Sequence, residues 1–98
     1  MNVVEMSIKD IKPYQNNPRD NSKAIKAVAA SIREFGFKVP IVLDKKLEIV
    51  AGHTRYQASI KLGLEKVPCV IADDLTPEQV RAFRIADNKT QNRQDTKK

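Results

Sequence analysis

The stretch from Leu47 to Gly63 constrains this chain more than any other. Leu47-Glu48-Ile49-Val50-Ala51 holds four apolar residues in five, two of them β-branched, which predicts a short buried strand. Gly52 follows directly, and Thr54 to Leu62 has helix-forming composition that stops at Gly63. The sequence therefore proposes a strand, a tight glycine turn, and a helix whose first turn carries His53, Thr54 and Arg55. A helix start offers unpaired backbone N–H groups and a partial positive charge, so it favours anions. With an arginine in the same turn, phosphate becomes the leading candidate ligand.

The flanking chain predicts the elements around this turn. Val3 to Ile8 reads as an opening strand, followed by a loop rich in proline and asparagine through Pro13, Asn16, Asn17, Pro18 and Asn21. A helix is predicted from about Ser22 to Phe35, capped by Asn21 or Ser22 and ended by Gly36 in a left-handed conformation. Its apolar stripe is Ile25, Val28, Ala29, Ile32 and Phe35, with Lys23, Lys26, Arg33 and Glu34 solvated. Phe37 to Asp44 reads as a strand with Pro40 at its entry, joined through a polar turn to Leu47–Ala51 as a hairpin. A further strand is expected at Val67 to Ala72. Thr76-Pro77-Glu78-Gln79 has the pattern of a capping box with proline at the first helical position, opening a third helix to about Asn88. Strand, helix, hairpin, helix, strand, helix makes a small single α+β domain, with a mixed sheet of about four strands and three main helices. Residues 1–89 form that domain, and 90–98 read as a polar C-terminal tail, frayed or truncated.

Composition removes several functional classes. No apolar run approaches the roughly 20 residues of a membrane span and no apolar signal segment follows Met1, so a soluble cytoplasmic protein is expected. One cysteine rules out an internal disulfide framework, and one histidine makes a His/Cys zinc site implausible. Cys69 reads as a small buried hydrophobe. The net charge of +6 invites a nucleic-acid reading. Half of it, however, comes from Lys89 to Lys98, where four basic residues face one acid, a composition usual for a solvated end.

Polar groups that local structure does not demand occur in three places: Asn17-Pro18-Arg19, Gly52-His53-Thr54-Arg55, and Asp87-Asn88-Lys89. Each has a bland alternative. Gly52 suits an ordinary turn, Thr54 an ordinary N-cap, and Arg55 a solvated helix position. Asn17-Pro18 suits turn chemistry with Arg19 exposed. Asp87-Asn88 suits a helix C-terminus, although an aspartate is disfavoured there by the dipole. A carboxylate beside an amide oxygen could also hold Mg²⁺ against phosphates. The glycine turn lacks the full pattern of a P-loop or a dinucleotide fold.

Together these pieces resemble the ParB/sulfiredoxin-like superfamily, and specifically the ParB-like N-terminal (ParB-like nuclease) domain. The resemblance rests on Ile11-Lys12-Pro13-Tyr14 with Asn17-Pro18-Arg19, and on Ser31-Ile32-Arg33-Glu34-Phe35-Gly36 leading to Pro40-Ile41-Val42. It continues with Ile49 to Arg55, Ala58 and Leu62-Gly63, and ends with Val67-Pro68 and Ala86-Asp87-Asn88-Lys89. Gly-His-Thr-Arg followed by Ala-Asp-Asn-Lys is similar to domains of phage and mobile-element proteins associated with DNA methyltransferases.

The resemblance implies binding of a nucleoside triphosphate, with CTP as the candidate, together with Mg²⁺. It implies that Arg19, Gly52, His53, Thr54 and Arg55 contact the phosphates, supported by the Asn17-Pro18 loop, and that Asp87 and Asn88 place the metal. DNA would be engaged through other domains or partner proteins, and a homodimer is possible. His53 stands where partition ParB proteins carry glutamate and where sulfiredoxin carries cysteine, so binding is expected here in preference to catalysis. The alternatives are a DNA-binding or nuclease-related module that uses no nucleotide, and a serine-kinase-like phosphotransferase.

Overall fold

The computed structural model describes residues 3–14 and 22–96, with side chains up to residue 87. The elements follow in the expected order: β1 (Val3–Ser7), α1 (Ser22–Phe35), β2 (Ile41–Leu43), β3 (Ile49–Ala51), α2 (His53–Leu62), β4 (Lys66–Ile71) and α3 (Pro77–Thr96). A 3₁₀ turn at Ile8–Asp10, unanticipated in the sequence, follows β1, with the Ser7 hydroxyl accepting the Lys9 N–H. The four strands form one mixed sheet in the order β1-β4-β2-β3. β1 runs antiparallel to β4, β4 parallel to β2, and β2 antiparallel to β3. The domain is a small α+β unit with three helices on a four-stranded mixed sheet, as the sequence implied.

The core gathers Ile11, Ile41, Leu43, Ile49, Val67 and Cys69, drawn from β2, β3 and β4 and from the chain just after β1. Each fully buried Ile, Leu or Val contributes about 1.5–3 kcal/mol, so this cluster fixes the sheet on which the Gly52 turn sits. Cys69 is buried there as a plain hydrophobe, and burial pushes its thiol up to about 11, so it stays protonated. Pro68 opposes Glu5 of β1, while the β2 ladder begins only at Cys69, so no β2 residue needs the N–H that proline lacks.

Three expectations about the helices need correction. α1 buries only Ala29; Ile25, Val28 and Ile32 are half-buried, and Phe35 is 65% exposed. The helix packs chiefly on α2 instead of on the sheet, so its apolar stripe is only partly covered. α2 is capped by Gly52 in a left-handed conformation, and Thr54, whose bland alternative is an ordinary N-cap, is a buried residue within the first turn. α3 continues to Thr96, where the sequence predicted an end near Asn88. No glycine or proline follows Asn88, and the lysines, glutamines and arginine beyond it are good helix formers.

The end of α1 and the start of α3, read from local chemistry, do hold. Gly36 has φ +86° and donates its N–H to Ile32 O. Thr76 Oγ1 accepts the Gln79 N–H at 3.1 Å while Gln79 Oε1 accepts the Thr76 N–H at 2.9 Å, a complete capping box.

Candidate anion-binding site

β3 delivers the chain to Gly52 at one end of the sheet. Gly52 has φ +97° and ψ 27°, a conformation that costs an L-residue about 1–2 kcal/mol. This geometry turns the strand directly into α2, whose first backbone bond runs from Tyr56 N–H to Gly52 O. Glycine is needed for a second reason as well. A Cβ at this position would lie 2.9 Å from Arg55 Nη2 and 3.3 Å from Cζ and Nε. The Arg55 guanidinium is folded back over the glycine and tied by Nη2 to Pro40 O at 3.2 Å. One turn further on, the Ser59 hydroxyl donates to Arg55 O at 2.7 Å, fastening the same helical turn from within.

Across the turn stands Asp87 of α3. Its carboxylate accepts the Gly52 N–H and lies in the field of Arg55 and His53. Burial raises the Asp87 pKa above the usual carboxylate range, and the Gly52 N–H, Arg55 and His53 only partly offset it. Burial likewise lowers the pKa of Arg55, with Asp87 opposing the shift. Both charges are thus held partly out of water at some cost, in the manner of functional sites. Asp87 already occupies the position in which an anion would meet the start of α2.

The polar atoms left over point the same way. His53 Nδ1, His53 Nε2 and Arg55 Nε are buried without a hydrogen-bond partner, and they account for all such side-chain atoms among the described residues. The His53 ring makes an edge contact with Tyr56, centroids 6.2 Å apart, which fixes the ring without satisfying either nitrogen. A buried donor or acceptor without a partner costs about 1–3 kcal/mol. Three of them in one turn mark a place where an acceptor-rich ligand recovers what the fold forgoes.

The structure thus brings together Gly52, His53, Arg55 and Asp87 of the residues singled out in the sequence. Thr54 is buried in the same turn. Asn17, Pro18 and Arg19 lie outside the described residues, as does the side chain of Asn88. The reason given for suspecting Asp87 does not survive, because with α3 reaching Thr96 it stands near the middle of the helix instead of at its C-terminus. What constrains Asp87 is the Gly52 N–H and burial.

Arg84 went unremarked in the sequence. Its Nε and Nη2 donate to Ile49 O at 3.1 and 3.0 Å, and its guanidinium lies 4.2 Å from the centroid of the Tyr14 ring. Val80, Arg84 and Asp87, spaced i, i+4 and i+7, are the partly buried residues by which α3 meets β3. A charged pair on the inward stripe of a helix with few apolar residues there was the available signal.

A family model described as the ParB N-terminal domain matches residues 1–89. The ParB-like nuclease domain-containing protein YnaK of Escherichia coli is 34% identical over 80 residues, covering 81% of this chain and 92% of that protein. The chromosome-partitioning protein Spo0J of Thermus thermophilus is 33% identical over 91 residues; they cover 88% of this chain but only 34% of that relative. Among solved structures, C-terminally truncated ParB from Caulobacter crescentus complexed with CTP-gamma-S superposes with a TM-score of 0.75 at 26% identity, over 90% of this chain and 53% of that one. Sulfiredoxin from Arabidopsis thaliana superposes at 0.71 and 28% identity, over 85% of this chain and 97% of its own. No described helix is long and apolar enough to cross a membrane.

Proposed function

Because the chain belongs to the ParB N-terminal domain family, we propose that it is a nucleoside-triphosphate-binding module serving a DNA-directed protein, with the phosphates seated on the Gly52-His53-Thr54-Arg55 turn. The observation that carries this reading is the set of three buried, unpartnered donor and acceptor atoms on His53 and Arg55, at the start of a helix. CTP is the first nucleotide to test, since the ParB neighbour was solved with CTP-gamma-S. Arg19 of the first loop would join Arg55 on the triphosphate, with Asn17 and Pro18 shaping that loop. Two charge-assisted contacts of about 1.5–3 kcal/mol each supply about 3–6 kcal/mol, and the helix start and a metal would add the remainder of the roughly 8 kcal/mol that micromolar binding needs.

Asp87 decides how such a ligand is accommodated. A triphosphate approaching the Gly52 N–H meets the Asp87 carboxylate already bound there, and two anions sharing one donor repel. Asp87, with Asn88 beside it in sequence, would hold Mg²⁺ together with phosphate oxygens, and the metal would supply the charge that lets carboxylate and phosphate coexist. A single carboxylate suits Mg²⁺, which takes most of its ligands from substrate and water; the described residues hold no group of three or more ligand side chains.

His53 stands where partition ParB proteins carry glutamate, so binding is favoured here over hydrolysis. The Gly52–Arg55 and Ala86–Lys89 motifs support placing the domain with mobile-element, methyltransferase-associated proteins, where DNA contact and dimerisation fall to other parts of the assembly. Isothermal titration with CTP, ATP and GTP, each with and without Mg²⁺, tests the reading. Binding that requires Mg²⁺ and disappears in a folded Arg55→Ala variant supports it. No heat at millimolar nucleotide removes it.

A further inference from the structure

A cavity lies well away from the Gly52 turn. It lies at the other end of the sheet, between the β2–β3 turn and the first half of α3, with a volume of about 400 Å³. Because β2 and β4 are parallel and β3 returns antiparallel, Ala72 and the hairpin turn share this end while Gly52 stands at the opposite one. The two places are separated by the length of β3, roughly 10 Å at 3.3 Å per residue. Arg84 serves the near end through Ile49 O, and Asp87 serves the far end through the Gly52 N–H.

The floor of the cavity is apolar, formed by Ala72, Leu75 and Val80, with the Tyr14 ring as one wall. Its rim is charged, and the balance is uneven. Asp44 and Glu48 are already engaged. Asp44 Oδ1 accepts the N–H groups of Lys46 and Glu48, both at 2.9 Å, and the two carboxylates lie 3.8 and 3.6 Å from Arg84 Nη2. Arg84 in turn is committed to Ile49 O and to the Tyr14 face. Lys45, Lys46 and Arg81 remain on the rim, exposed, with no acidic side chain within 4 Å among the described residues.

We propose that this cavity binds a small organic anion, an apolar ring or short chain carrying one carboxylate or phosphate, independently of the Gly52 turn. The volume lies within the 300–1,000 Å³ of small-molecule pockets, and an apolar floor with a few convergent polar groups is their usual lining. The floor would take the apolar body, and Lys46 and Arg81 would take the anion. An acidic peptide fits less well, because exposed Asp73, Asp74 and Glu78 flank the start of α3 and would repel a run of negative charge.

The test is a ¹H–¹⁵N NMR titration of the 98-residue chain with phenyl phosphate and benzoate, against benzyl alcohol as the uncharged control and a short acidic peptide as the competing occupant. The amides of Lys46, Ala72 and Arg81 should shift with both phenyl phosphate and benzoate, whether or not phosphate also moves Gly52 and Thr54, and benzyl alcohol should bind at least about tenfold more weakly. Lys46→Glu with Arg81→Glu, both at exposed positions, should weaken phenyl phosphate by a similar factor while the spectrum stays dispersed. Four results would overturn the proposal: equal binding of benzyl alcohol, tighter binding of the peptide, shifts confined to the Gly52 turn with Lys46, Ala72 and Arg81 still, or no shift up to about 10 mM ligand.

Discussion

Gly52→Ala should be among the most damaging small substitutions in this chain, and its cost can be worked out in two parts. Holding alanine at φ +97° costs about 1–2 kcal/mol. The new Cβ also meets Arg55 Nη2 at 2.9 Å, and that atom is not free to yield, because it donates to Pro40 O at 3.2 Å. Moving it sacrifices a hydrogen bond from a charged donor, about 1.5–3 kcal/mol. The sum is about 2.5–5 kcal/mol, which for a domain of this size lowers Tm by about 10 °C or more.

Arg55→Ala removes the obstacle, so adding Gly52→Ala in that background should cost only the backbone part, about 1–2 kcal/mol. Urea unfolding of wild type, the two single variants and the double variant gives the coupling directly. A coupling of about 1.5 kcal/mol or more is expected, whereas costs that add to within about 0.5 kcal/mol would refute the argument that the glycine is kept clear for the arginine.

Other expectations follow from the same contacts. Asp87 has a folded-state pKa raised by burial, so its contribution to stability is fully present below the unfolded carboxylate value of about 3.9 and is lost as pH rises through the raised value. Asp87→Asn keeps an acceptor for the Gly52 N–H, so in urea melts at neutral pH the variant should be more stable than wild type. That advantage should vanish in acid, and an unchanged difference across pH would contradict it. Asp44→Ala removes the acceptor of the Lys46 and Glu48 N–H groups and should cost about 1–3 kcal/mol, while Asp44→Asn, which retains that oxygen, should cost under about 1 kcal/mol because the ion pair it loses is long. Thr76→Ala should cost about 1 kcal/mol through the capping box, seen as a lower urea midpoint with an unchanged slope.

Much of the architecture was legible because it rests on local chemistry. Gly36, Gly63 and the Thr76–Gln79 box announce helix ends through φ and capping, and the apolar runs around Ile41 and Ile49 announce buried strands. The β3-to-α2 turn was legible for the same reason. What escaped was set by tertiary packing. The exposure of Phe35 depends on α1 packing against α2 more than on the sheet, which periodicity does not encode. The inward stripe Val80–Arg84–Asp87 carries charge where pattern reading looks for apolar residues, so Arg84 was missed and Asp87 was suspected for the wrong reason. Arg55 and His53 were read as first-turn residues, yet that their nitrogens lie buried and unpartnered is visible only in three dimensions.

The central claim is that the Gly52–Arg55 turn seats a triphosphate and that Asp87 yields its place to it. A crystal structure of the chain with CTP and Mg²⁺ tests both halves at once. The account predicts phosphate density on the Gly52 and Thr54 N–H groups and on the Arg55 guanidinium, with the Asp87 carboxylate off the Gly52 N–H and turned to the metal. Nucleotide bound elsewhere, or a turn still closed by Asp87 with no ligand at saturating CTP, would contradict it.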